Sequence, residues 1–273
     1  MKTQSKLEKG LKQGVSFLFI AILICVMTGK TRAYVMPAEQ LVDLMTRNLP
    51  KFKTVVITQS THLITPEDLE VQMVLEEKIW LKSPGFHHSE MMDQTGDWDT
   101  GTNRVRVKRP SADMAFRQIF MTGDKSAIMS LLSEMGINLN AVAFTRFDDV
   151  IAYRLGDEDT RKPKLLIEKE KLLPLLLNYR VWGDSGEKTV TVRFDDYREV
   201  VEGWYPYEIG LFSGEDLEER YFVIDLKANI PVDPSFFERN EEHQPPPDEE
   251  RLREVIDFLK KKYKPADSST NGN

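Results

Sequence analysis

From Leu69 to Leu81 the chain alternates between apolar and polar residues. The odd positions are Leu69, Val71, Met73, Leu75, Glu77, Ile79 and Leu81; the even positions are Glu70, Gln72, Val74, Glu76, Lys78, Trp80 and Lys82. A period of two gives a strand with one apolar and one wet face. Glu77 alone breaks the odd row, and a β-bulge is the expected accommodation. Ser83-Pro84-Gly85 must turn the chain, because proline has no N–H for a ladder. Phe86–Met92 then runs back as the partner strand. His87 and His88 follow the turn, and neighbours on a strand point to opposite faces. They cannot both ligate one metal, and are expected to be two half-exposed polar residues.

The rest of the chain is read in the same way. Pro37 suits the start of a helix carrying Leu41, Leu44 and Met45, and Asn48-Leu49-Pro50 ends it. Trp80, on the wet face of its strand, is expected to pack on this helix. Further strands are predicted at Phe52–Leu63, Arg104–Lys108, Ala141–Leu155 and Lys164–Trp182, the last bent or broken at Pro174. Val190, Val192 and Phe194 alternate again, and "GWYPYEIGLF" and "ERYFVIDLKAN" complete the run. Without a βαβ pattern the sheet is expected to be antiparallel. Between the two groups of strands lies a helix over Lys125–Met135, with Asp124 as N-cap and Gly136 as C-cap. Its stripe is Ile128, Met129, Leu131, Leu132 and Met135, and an apolar, Met-rich stretch, Ala112–Met121, precedes it. The fold class is therefore mainly β (α+β): an antiparallel sheet with an N-terminal helix and a mid-chain helical segment.

The ends change the picture of where the chain works. Lys2, Lys6, Lys9 and Lys12 precede the apolar run Val15–Met27, and "TGKTRA" ends in Ala33. This reads as a secretory signal peptide, cleaved after Ala33, with a retained anchor as the alternative. Cys25, the single cysteine, falls inside it, so the mature chain would use neither disulfides nor thiol chemistry. Removing residues 1–33 takes away six of 37 basic and one of 44 acidic residues, leaving 31 and 43 and a net charge of −12. Such a balance argues against nucleic acid and against anionic lipid surfaces as electrostatic partners. Residues 37–237 suit one domain. Residues 238–273 form a charged, Pro-rich linker, an amphipathic helix (Leu252, Val255, Ile256, Leu259, Tyr263) and a disordered tail.

Candidate chemistry is sparse. GxSxG, HExxH, P-loop and GxGxxG motifs are missing. The pairs Asp148-Asp149 and Asp195-Asp196 are adjacent on strands, where carboxylates diverge. No catalytic residue, metal site or cofactor is assigned; a secreted hydrolase would need a polar cluster in the sheet's cavity.

Three stretches carry a family resemblance: "EEKIWLKSPGFHHSEMM", "LLIEKEKLLPLLLNYRVW" and "RYFVIDLKANIPVDPSFF". Together with the order of elements over Pro37–Phe237, they resemble the LolA/LolB-like family of periplasmic lipoprotein carriers. Glu77, where that hairpin often has glycine, and the His87-His88 pair depart from its pattern. The resemblance implies an open, strongly curved antiparallel half-barrel closed by helices, with an apolar concave face for acyl chains. On that footing, and on the alternation, Val71, Met73, Leu75, Ile79, Leu81, Val190, Val192, Phe194, Ile209, Leu211, Phe222 and Ile224 are the expected ligand-facing residues. Ile128, Met129, Leu131, Leu132 and Met135 would form the lid. A filled core without ligand is the plain alternative. The implied activity is non-catalytic carriage of acylated lipoproteins or lipids by a monomer, with a membrane-bound donor or acceptor protein as partner. The alternative is a sensor module of the RseB kind, acting through a protein partner.

Overall fold

The structure, a computed structural model, describes residues 35–64, 70–97, 102–106, 115–183, 186–201, 203–234 and residue 237. The expected signal peptide and the C-terminal linker, helix and tail lie outside the described residues.

Helix α1 (Ala38–Asn48) follows Pro37 and buries Ala38, Leu41, Val42, Met45 and Thr46 along one side. Eleven strands follow among the described residues: β1 (Thr54–Ile64), β2 (Val71–Lys82), β3 (Phe86–Asp97), β4 (Thr102–Arg106), β5 (Val142–Phe147), β6 (Val150–Gly156), β7 (Lys164–Glu168), β8 (Pro174–Gly183), β9 (Gly186–Val200), β10 (Gly203–Ser213) and β11 (Asp216–Ala228). All adjacent pairs are antiparallel, in the order β4-β3-β2-β1-β11-β10-β9-β8-β7-β6-β5. The sheet is open, because β4 and β5 end it without pairing to each other.

That order has one mechanical consequence. The chain leaves one edge of the sheet at β4 and re-enters at the opposite edge with β5. The connection holds a 3₁₀ helix (Ala115–Phe120) and α2 (Lys125–Glu134). Asp124 caps α2 by accepting from the Ala127 N–H at 2.8 Å, and Gly136, at φ 83°, ends it. Phe116, Ile119, Phe120, Ile128, Leu132 and Met135 join Leu41, Val42 and Met45 of α1 in one cluster with the inward residues of the sheet. The helices thus cover the concave face of a half-barrel.

Three local expectations need correction. Glu77 causes no bulge: it pairs regularly with Gln59 on β1 and Met91 on β3, and the nearby irregularity falls at Thr58/Gln59 of β1, against β11. Trp80 does not pack on α1: it lies on the outer face beside the His88 ring, centroids 5.3 Å apart. His88 is buried rather than half-exposed, with its Nε2 3.1 Å from Glu90 Oε1. The two histidines do point to opposite faces, His87 lying across from inward Leu81 and His88 across from Trp80. Pro174 opens β8, separated from β7 by the Lys169–Leu173 turn, so the Lys164–Trp182 stretch is two strands.

The end of α1 presses directly on the sheet at Gly203. A β-carbon there would stand 2.5 Å from the Leu49 carbonyl carbon and 2.6 Å from the Pro50 nitrogen. Backbone gives way less readily than side chain, so Gly203→Ala is expected to cost about 1–3 kcal/mol, read as a lower urea midpoint at unchanged slope. On the outer face His62 packs edge-on against Phe222, centroids 4.9 Å apart. Burial, assisted by the Arg220 charge, holds its imidazole pKa below the ordinary value. The unfolded chain accepts that proton near pH 6.5 and the fold resists it, so stability falls as pH drops below about 6.5. Unfolding midpoints followed from neutral into mildly acidic buffer should fall less steeply for His62→Asn than for the wild type.

Candidate functional site

The concave face and its helical cover form the candidate site. Leu75, Ile79, Leu81, Val190, Val192, Phe194, Ile209 and Leu211 are all buried. All but Leu75 share one cluster with Ile128, Leu132 and Met135, while Met129 and Leu131 pack on it partly exposed. Met73 is half-buried, and Val71, at the open start of β2, is 50% exposed. Phe222 and Ile224 do not belong to this face. Ile209 pairs with Tyr221, and cross-strand partners share a side, so Tyr221 and Val223 turn inward and Ile224 is left 59% exposed. Phe194 meets the 3₁₀ helix through rings: Phe120 lies 5.5 Å and Phe116 6.0 Å from it.

The interior is not uniformly apolar. Glu77, fully buried, accepts from Gln59 Nε2 at 2.9 Å and Thr61 Oγ1 at 2.8 Å on one oxygen, and from the Ser89 hydroxyl on the other. Arg117, 1% exposed on the 3₁₀ helix, donates from Nη2 to Gln59 Oε1 and from Nη1 to the Tyr205 hydroxyl, both at 2.8 Å. Its guanidinium lies over the Phe116 and Tyr221 rings, at 4.9 and 5.5 Å. Its Nε has no hydrogen-bond partner among the described residues. Tyr221 donates to buried Glu219 at 2.9 Å. Burial pushes the Tyr205 hydroxyl pKa up, with Arg117 pulling the other way. Gln59, Thr61, Ser89, Arg117, Tyr205, Glu219 and Tyr221 were not among the expected site residues. Their traces in the sequence are an acid in the apolar row of β2 and an arginine inside "ADMAFRQIFM".

The seam between α1 and α2 reaches the surface as a groove of about 340 Å³ lined by Pro37, Glu39, Gln40, Asp43 and Lys125. Lys125 Nζ bridges it to Glu39 at 2.7 Å. Exposed pairs of this kind contribute little, so apolar contact holds the two helices together. Among the described residues no group of three or more His, Cys, Asp or Glu side chains could hold a metal ion.

The fold and site define an open antiparallel half-barrel with a helical cover over a mostly apolar concave face. No protein-family model matches the chain, and no curated protein matches it. Among solved structures it is similar to a putative outer membrane lipoprotein-sorting protein domain from Vibrio parahaemolyticus (11% identity, TM-score 0.40, covering 73% of this chain and 95% of that one). It is also similar to a LolA superfamily protein from Nitrosomonas europaea (10% identity, TM-score 0.42, covering 74% and 97%). A third likeness is to a chain of the Pseudomonas aeruginosa MucA/MucB complex (13% identity, TM-score 0.23, covering 73% and 60%). Identities and scores of this size carry no functional information.

Removing one member of the buried network strands the others. Glu77→Ala leaves the buried donors of Gln59, Thr61 and Ser89 without their acceptor and removes the negative charge that Gln59 links to Arg117, and is expected to cost about 3–5 kcal/mol. Tyr205→Phe removes one acceptor from Arg117, for about 1.5–3 kcal/mol. Urea unfolding of the two variants and of their combination should show costs that do not add, because Gln59 and Arg117 join the two sites in one hydrogen-bonded chain.

Proposed function

We propose that the chain is a periplasmic carrier or binder that shields the acyl chains of lipoproteins or lipids from water, reaching its compartment through the signal peptide in residues 1–33. One observation carries the reading: the apolar concave face is covered by a connection that crosses the sheet from edge to edge, where a second sheet would have closed it for good. Val192, Phe194, Ile209 and Leu211 would exchange contact with α2 for contact with an acyl chain. The acyl chain supplies the driving force. Each methylene taken out of water contributes about 0.8 kcal/mol, so ten to fifteen of them supply roughly 8–12 kcal/mol before the cost of moving the cover. No bond is made or broken, so the reading needs no catalytic group. Hand-over to a membrane-bound donor or acceptor protein belongs to the same proposal.

Native mass spectrometry and lipid extraction of residues 34–273, purified from a periplasm, test it. The expected result is co-purifying acyl lipid or lipoprotein. A bis-maleimide bridge between cysteines at Glu39→Cys and Lys125→Cys should pin α2 to α1 and abolish uptake of added lipid. A lipid-free mass, together with refusal of added lipid by the unbridged protein, would overturn the reading and leave the concave face as simple core.

A further inference from the structure

The chemistry of the concave face changes along the sheet. Its buried polar side chains gather on β1, β2, β3 and β11, as Gln59, Thr61, Glu77, Ser89 and Glu219. Strands β8 to β10 contribute Leu177, Val190, Val192, Phe194, Ile209 and Leu211. Arg117 stands at the border. One side of its guanidinium holds Gln59; the other holds Tyr205, whose ring packs on Phe120 at 5.1 Å.

The Arg117 Nε–H is buried and lacks an acceptor among the described residues. Most buried donors in proteins are bonded, so an orphan on an otherwise bonded guanidinium invites a ligand atom. The charge of Arg117 is already answered. Gln59 accepts from Arg117 and donates to the Glu77 carboxylate, so one neutral amide links the two opposite charges. The acceptor that fits is therefore neutral. A second anion would stand close to Glu77 in a water-poor setting, where like charges repel strongly.

We propose that Arg117 Nε donates to the carbonyl oxygen of an ester or amide at the head of a bound acyl chain, whose tail lies on the Val192–Phe194–Ile209 floor in place of α2. The inference rests on the carrier reading above and names the ligand class for that site. An acyl ester turns from apolar to polar at its carbonyl, and this face makes the same change at Arg117. The bonds from Arg117 to Gln59 and Tyr205 hold the 3₁₀ segment on the sheet, so the donor stays in place while α2, tied at the surface by Lys125–Glu39, moves aside.

Two probes of equal chain length decide the matter: monododecanoyl glycerol and the corresponding monododecyl glycerol ether, titrated calorimetrically into residues 34–273. The ester is the more polar and, on transfer from water alone, would bind no more tightly. The expected result is an ester about tenfold tighter than the ether, as for a hydrogen bond to a charged donor. Arg117→Met and the charge-conserving Arg117→Lys should both erase that preference, since neither has an Nε–H in the guanidinium fork. An isotope-labelled ester carbonyl should show a lower stretching frequency when bound to the wild type than when bound to Arg117→Lys. Equal affinities of the wild type for ester and ether would overturn the inference alone, and need no variant to fold. Failure of both probes to bind would overturn the carrier reading, and the inference with it.

Discussion

A curved sheet with one apolar face cannot leave that face in water, and here the covering is done largely by one connection. The apolar rows of β1, β2 and β8 to β10 would otherwise form a patch far larger than soluble proteins expose. Because β4 and β5 sit at opposite edges, the chain between them has to cross the sheet, and the inward row decides which face it crosses. Helix α1 fills the remainder, anchored where Leu49 and Pro50 meet Gly203. Topology, cover and interior therefore share one cause. If the inward row were polar, neither the 3₁₀ segment nor α2 would have a surface to rest on.

The polar cluster works against that simplicity in an ordered way. Three ionisable side chains, Glu77, Arg117 and Glu219, are buried among leucines and aromatic rings. Groups like these are costly to take out of water and are tolerated where hydrogen bonds replace the hydration. For Glu77 the replacement is nearly complete, with donors from β1 and β3 on its two oxygens. Apolar contact alone tolerates sliding; a set of directional bonds does not. The cluster thus fixes where the 3₁₀ segment sits, while α2 next to it rests mainly on less directional apolar packing.

Much of this architecture is legible in the sequence, and the failures have physical reasons. Strict alternation picked out β2 because its two rows differ in polarity. In β11 the neighbouring residues Tyr221, Phe222, Val223 and Ile224 are all apolar, so the pattern offers no phase; pairing with Ile209 of β10 settles it. The caps of α2 were visible as Asp124 and Gly136, because capping is local chemistry. The buried network was not, since Gln59, Glu77, Ser89 and Arg117 come from four separate elements and only the fold brings them together. Glu77 stands out in the sequence, but one acid in an apolar row looks like a backbone irregularity until its partners are known. The edge-to-edge path of the mid-chain segment was equally hidden, because strand order is not written in strand pattern.

The pairing of β1 with β11 has a consequence for how the molecule comes into being. The first strand and the last are neighbours in the middle of the sheet, so its two halves cannot join until the end of the domain is free to fold. Long-range pairings of this kind slow folding, because a large loop must close before any bond rewards it. For a chain threaded through a membrane in extended form, as the proposed export requires, such slowness is useful. The half that emerges first lacks the partner that would complete it, and the sheet is sealed only once β11 has arrived on the far side.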